Sequence, residues 1–149
     1  MCQDNCSHSD DSIYRIRHSM AHIMAAAIQN LYPDVQLGFG PPVENGFYYD
    51  FDFGTHVLEM KDFKKIEKEM ASLIRKNLPF TREEYSMEQS LEKVDGMKQS
   101  YKRIQVENLN KEGVSTFSFY TTGKFIDLCE GPHIENTSEL ASAAFKLDR

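Results

Sequence analysis

Two pairs of side chains in this 149-residue sequence have the type and spacing to act on a single atom. His18 and His22 are four apart in a stretch with helical periodicity, which puts both imidazoles on one face, about one turn apart. Cys129 and His133 are also four apart, across Glu130-Gly131-Pro132, a turn sequence that folds the chain back so that a thiol and an imidazole face the same way. Each pair alone is a modest signal. Together they supply three nitrogens and one sulfur, a complete tetrahedral zinc set by ligand type. Two other readings stand beside zinc. Cys129 is also suited to being a small buried hydrophobe with no need of His133. A Cys–His nucleophilic dyad is the third reading, and the sequence has no local signature for it. Cys2, Cys6 and His8 lie close together too, but in a polar segment without a partner cluster, and they are read as incidental.

The elements that must position these groups can be read from periodicity. Ile13, Ile16, Met20, Ile23, Met24, Ala27, Ile28 and Leu31 predict a helix from Ser12, capped by Asp10, Asp11 or Ser12 and stopped by Pro33. Its other face carries His18 and His22 beside Ala25 and Ala26, so both faces are expected to meet something, as in a central helix with a cleft along it. Val35–Gly40 and Phe47–Phe53 predict two strands of a hairpin, joined through Asn45-Gly46, the second alternating Phe47, Tyr49, Phe51 and Phe53 on one face. Phe63, Ile66, Met70, Leu73 and Ile74 mark a surface helix ended by Asn77 and Pro79. A strand over Phe80–Tyr85 follows, then a short helix over Met87–Val94 opened by the Ser86/Gln89 capping box. A helix over Met97–Leu109 carries Tyr101 and Lys102, and Ser115–Tyr120 with Lys124–Leu128 form a second hairpin that ends at Asp127 and Cys129. The last residues, to Phe145 and Leu147, are read as an edge strand.

Composition limits the function classes. A chain of this length builds one core, so residues 12–149 are expected to form one domain after a disordered tail over residues 1–11. No apolar run reaches the ~18–20 residues of a membrane span, and the start MCQDNCSHSDD lacks the pattern of a secretory signal, so the expected compartment is the cytoplasm. Three cysteines, with Cys129 far from the other two, argue against a disulfide framework. A net charge of −6 argues against wrapping nucleic acid by bulk electrostatics. Any RNA contact should be local, and Lys98, Lys102 and Arg103 form one small basic cluster that could face a strand end.

The blocks RHSMAHIMAAAI (17–28), GPPVENGFYYDFDF (40–53) and FIDLCEGPH (125–133), in this order and at these separations, resemble the editing domain of bacterial-type threonyl-tRNA synthetases. The match runs from about Ser12 to the C-terminus, and the Gly-Pro-His loop separates it from the alanyl editing relatives. The resemblance implies an α+β fold, a central helix wrapped by a mostly antiparallel sheet with outer helices. It implies hydrolysis of serine wrongly attached to the 3′ end of threonine tRNA, with that tRNA end and the aminoacylation domains of a parent synthetase as partners and no membrane. It implies that His18 and Lys102 position and activate water or stabilise the oxyanion, while His22, Asp127, Cys129 and His133 line and orient the pocket. Gly40, Pro41 and Tyr49 match the family's pocket wall. Lys102 by pattern is an ordinary helix lysine, and its role rests on the Tyr101-Lys102 match. The threonyl branch works without metal, so no metal is expected to be required, although the four residues could take up zinc. The alternatives are a free-standing alanyl-type deacylase and a non-catalytic zinc-binding module of a synthetase.

Overall fold

The structure is a computed structural model and describes residues 8–40, 42–43, 46–142 and 145–147. Helix α1 (His8–Leu31) runs through the molecule. From Ser19 to Ile28 every residue is buried, whichever way it points, so partners pack on all sides of this stretch. The two-faced helix read from the sequence is therefore present. It begins at His8 rather than Ser12, so Asp10, Asp11 and Ser12, expected as caps, lie inside its first two turns. Acidic residues suit the first turn of a helix, because the macrodipole places partial positive charge there. Of the expected tail, residues 1–7 lie outside the described residues.

The first hairpin is built from four two-residue strands. β1 (Gln36–Leu37) pairs antiparallel with β4 (Phe51–Asp52), and β2 (Pro42–Val43) with β3 (Gly46–Phe47). The predicted strands are shorter than expected, but the alternation holds. Phe47, Tyr49, Phe51 and Phe53 are half-buried against the main core, while Tyr48, Asp50 and Asp52 face out. The other edge of β1 is completed by a side chain. Buried Gln99 accepts from the Leu37 amide at 2.8 Å and donates to the Val35 carbonyl at 3.2 Å, standing in for a neighbouring strand. Asn45, read as the turn residue, lies outside the described residues.

Helix α2 (Met60–Arg75) buries Ile66, Met70, Leu73 and Ile74 against α1, the face its periodicity predicted. Its start is held by Asp62, which accepts from the Glu59 amide at 2.8 Å and from the Tyr32 hydroxyl at 3.0 Å. The second sheet, β5 (Thr81–Ser86), β6 (Thr116–Thr122) and β7 (Phe125–Leu128), is antiparallel throughout in the order β5-β6-β7. Helices α3 (Met87–Gly96) and α4 (Ser100–Lys111) cover a satellite core of Val94, Val106, Phe117, Phe119 and Leu128. The Ser86/Gln89 capping box forms as predicted. Helix α4 starts at Ser100 instead of Met97, because Lys98 takes a left-handed φ of 59° between the two helices.

The expected α+β architecture is present, a central helix with antiparallel sheets and outer helices around it, and the sheet is divided into parts of two, two and three strands. The C-terminal edge strand is not formed among the described residues. Leu147 is instead buried in the main core, and its amide donates to the Glu67 carboxylate at 2.9 Å, so the backbone bond that a strand partner would supply comes from α2.

Candidate active site

The site forms where α1, the end of β7 and the loop after it meet. Cys129 is fixed by backbone pairing that continues past β7. Its amide donates to the Ser118 carbonyl at 3.0 Å, and its carbonyl accepts from the Ser118 hydroxyl at 2.7 Å. The chain then reverses at Gly131, which has a φ of +83°, and an added Cβ there would collide with the Tyr120 hydroxyl. This reversal brings His133 back over Cys129. The Cys129 sulfur lies 3.3 Å from His133 Nε2 and 3.2 Å from His18 Nε2, and the rings of His18 and His133 stack with centroids 4.2 Å apart. Cys129 thus contacts two imidazoles and is not an isolated buried hydrophobe without need of His133.

His18, Cys129 and His133 offer ligand atoms that all lie within 4.8 Å of one another, so this trio could hold a metal ion. The fourth member of the expected zinc set is diverted. His22 Nε2 is bonded to the Thr122 hydroxyl at 3.0 Å, and its Nδ1 is buried without a hydrogen-bond partner among the described residues. Phe80 and Phe125 pack on the His22 ring. The ligand atoms that converge are therefore those of this trio and not of the expected four, and His22 Nε2 is engaged by a hydroxyl on β6.

A second constellation stands beside the first. Lys102 on α4 is 2 % exposed, and its Nζ lies 2.9 Å from Asp127 Oδ1. The other carboxylate oxygen accepts from the Tyr49 hydroxyl at 2.7 Å. The lysine also sits 5.3 Å from the Tyr49 ring centroid. Oδ1 has no well-aligned hydrogen bond, but an ammonium at 2.9 Å satisfies it as an ion pair, which needs no alignment. The surface cluster read from Lys98, Lys102 and Arg103 is not formed. Lys102 turns inward, and Arg103 is paired with Asp95 and Glu107.

Burial decides protonation here. It pushes His22 down to about 3 and His133 down to about 2, each helped by neighbouring histidines. His18 is also lowered by burial, against the opposing effects of its bond to the Pro132 carbonyl and the charge of Asp127. The Cys129 thiol is raised to about 12, by burial first and then by Asp127. At neutral pH the site holds three uncharged imidazoles and an un-ionised thiol. The nucleophilic dyad needs a thiolate, so the structure disfavours it.

Both constellations open onto a cavity of about 340 Å³ whose walls include Tyr14, His18, Gly40, Tyr49, Lys102 and Asp127. Gly40 is needed there, because a Cβ would collide with the Tyr49 ring and crowd the Tyr48 carbonyl. Pro41, the remaining wall residue expected from the sequence, lies outside the described residues. A larger, mostly apolar groove of about 1030 Å³ between α1, the first hairpin and α2 is lined by no histidine or cysteine among the described residues, so the clustered histidines and the thiol belong to the smaller cavity. Sequence reading missed Ser19 and Thr122, which bond to His133 and His22. A serine three residues before His22 on an otherwise apolar helix face was the available signal for the first.

Comparison with known proteins is decisive at this point. Residues 117–149, which carry β7, Cys129 and His133, match the family described as threonyl and alanyl tRNA synthetase second additional domain. The chain is 43% identical over 140 residues, 93% of its length, to a threonine–tRNA ligase of Bdellovibrio bacteriovorus, of which it spans 21%. Over 93% of its length the chain is thus similar to a segment of a threonine–tRNA ligase, and its last part matches that family. A threonine–tRNA ligase of Gloeobacter violaceus is 43% identical over 92% of the chain, covering 21% of that protein. A chloroplastic/mitochondrial threonine–tRNA ligase of Arabidopsis thaliana is 39% identical over 94% of the chain, again covering 21% of its own length. The chain spans about a fifth of the curated relatives it matches. Among the described residues no helix is long and apolar enough to cross a membrane.

Proposed function

We propose that this chain hydrolyses the ester that joins serine to the terminal adenosine of threonine tRNA, as the proofreading part of a threonine–tRNA ligase. The observation that carries the reading is the pairing, at one cavity, of an uncharged half-exposed imidazole with a buried lysine–aspartate pair. Ester hydrolysis needs a base for water, and positive charge where the carbonyl oxygen becomes anionic. His18 is the most accessible of the three clustered histidines, and burial keeps it neutral and able to accept a proton. Lys102 supplies fixed positive charge in a site of low dielectric, held in place by Asp127 and the Tyr49 ring. Asp127, with free lone pairs beyond its two partners, is suited to the seryl ammonium or hydroxyl. His22, Cys129 and His133 orient the wall.

A second site is needed because serine lacks only a methyl of threonine, and a missing methyl changes binding by roughly 1–3 kcal/mol. Exclusion of threonine by a clash discriminates more strongly than a lost contact. The rigid contact of Gly40 with Tyr49 is the surface that would enforce it. No metal is required in this mechanism. A metal-bound reading is favoured by the His18, Cys129 and His133 cluster, and the trio would hold the ion, which would supply Lewis acidity to the carbonyl. Loss of hydrolysis with EDTA, restored by zinc, would select that second reading. The test of the first is serine release by the purified chain, which His18→Ala should slow by roughly 10²–10⁴. Unchanged rates in that variant would remove His18 from the mechanism.

A further inference from the structure

Three ring and thiol groups in the site are linked in a chain whose two ends are chemically one-way. At one end the Ile134 amide, which can only donate, reaches the Ser19 hydroxyl at 3.0 Å. At the other, His18 Nδ1 lies 3.1 Å from the Pro132 carbonyl, which can only accept, so His18 carries its proton on Nδ1 and its Nε2 is bare. Between them, Ser19 Oγ lies 3.0 Å from His133 Nδ1, and His133 Nε2 and His18 Nε2 flank the Cys129 sulfur.

Ser19 is fully buried in the middle of α1, and a buried hydroxyl that donates to nothing keeps its desolvation cost uncompensated. With the Ile134 amide occupying it as an acceptor, its hydrogen-bond partner left to receive the hydroxyl proton among the described residues is His133 Nδ1. That fixes the rest of the chain: His133 holds its proton on Nε2 and donates to Cys129, and the thiol hydrogen points to His18. The Gly131 amide, 3.3 Å from the sulfur, is a further donor and agrees with a sulfur that accepts from that side.

We propose that Ser19 is a positioning residue: its hydroxyl holds His133 as the Nε2–H tautomer, which leaves His18 Nε2 as the single bare nitrogen at Cys129 and so assigns the base role to His18 rather than His133. Without the hydroxyl, His133 is free to move its proton to Nδ1. Two bare Nε2 atoms then compete for one thiol hydrogen. The catalytic consequence rests on the editing reading, whereas the direction of the hydrogen bonds does not.

The test is two-bond ¹H–¹⁵N correlation NMR of the ¹⁵N-histidine-labelled chain in EDTA, which reads each tautomer directly, combined with seryl-tRNA hydrolysis. Expected are an Nε2–H signal for His133 and an Nδ1–H signal for His18, with His133 becoming a tautomer mixture in Ser19→Ala. Hydrolysis by Ser19→Ala should fall about tenfold in kcat at unchanged KM, the size of one lost hydrogen bond, and Ser19→Thr should recover both the tautomer and the rate. An Nδ1–H signal for His133 in the unaltered chain overturns the proposal, and so does a Ser19→Ala variant with unchanged tautomers. If Ser19→Ala does not fold, the spectrum of the unaltered chain decides alone. A chain that shows the expected tautomers but releases no serine refutes the editing reading and leaves the hydrogen-bond direction standing.

Discussion

Replacing Lys102 with methionine isolates the buried ion pair, because methionine fills a similar volume without the charge. In the structure both partners are nearly sealed from solvent, the side chains being 3% and 6% exposed, so neither can be rescued by water when the other is removed. Breaking a buried pair from one side costs about 3–5 kcal/mol. Asp127 retains the Tyr49 hydroxyl at 2.7 Å, which places Lys102→Met near the lower end, about 3 kcal/mol. Asp127→Asn leaves the buried ammonium facing a neutral amide and the Tyr49 ring at 5.3 Å, without a counter-charge, and should cost a similar amount. The double variant removes both charges, so its loss should fall well short of the sum, with a coupling of about 2 kcal/mol. The assay is urea unfolding of the unaltered chain, both single variants and the double variant at pH 7. Single-variant losses under about 1 kcal/mol, the range of exposed pairs, would refute the reasoning, as would strict additivity.

Other consequences are smaller in scope. His22 and His133 have folded-state values far below the ordinary histidine range, so the unfolded chain takes up protons that the folded one does not as pH falls below about 6.5. Stability should therefore drop from about pH 6.5 toward 3, by up to about 1.4 kcal/mol per pH unit for each histidine, and a flat profile in urea unfolding would contradict their burial as neutral groups. Cys129 has the opposite sign: its raised value contributes stability below about pH 9 that is lost as pH rises toward 12, and in a Cys2→Ser/Cys6→Ser background it should react with iodoacetamide at pH 8 far more slowly than free cysteine. Gly40→Ala should displace Tyr49 and lower hydrolysis together with thermal stability, whereas an unaffected protein would mean that this contact is soft. Zinc added to the chain should bind at one site that Cys129→Ser abolishes and His22→Ala leaves largely intact, as calorimetry would show.

The chemistry-bearing residues were legible because their spacing is tied to local geometry: His18 and His22 to a helical turn, Cys129 and His133 to a Gly-Pro reversal. The aromatic alternation from Phe47 to Phe53 likewise named its buried face. What local pattern does not carry is the competition for a polar atom across the fold. Thr122 is a hundred residues from His22 and engages its Nε2, while the converging ligand atoms are those of His18, Cys129 and His133. Lys102 read as an ordinary helix lysine, although it shares its face with Val106 four residues on, and the two are the buried residues of α4. A lysine on the apolar stripe of a helix was the available hint. The C-terminal segment misled for a related reason, since Phe145 and Leu147 alternate like a strand while the backbone amide of Leu147 is satisfied by Glu67.

The central claim is tested most directly by the initial rate of amino-acid release from matched tRNAs of threonine identity, one charged with serine and one with threonine, with the purified chain as the only protein. The account predicts rapid loss of serine and threonine left in place. Equal rates on the two, or no release from either, would contradict it.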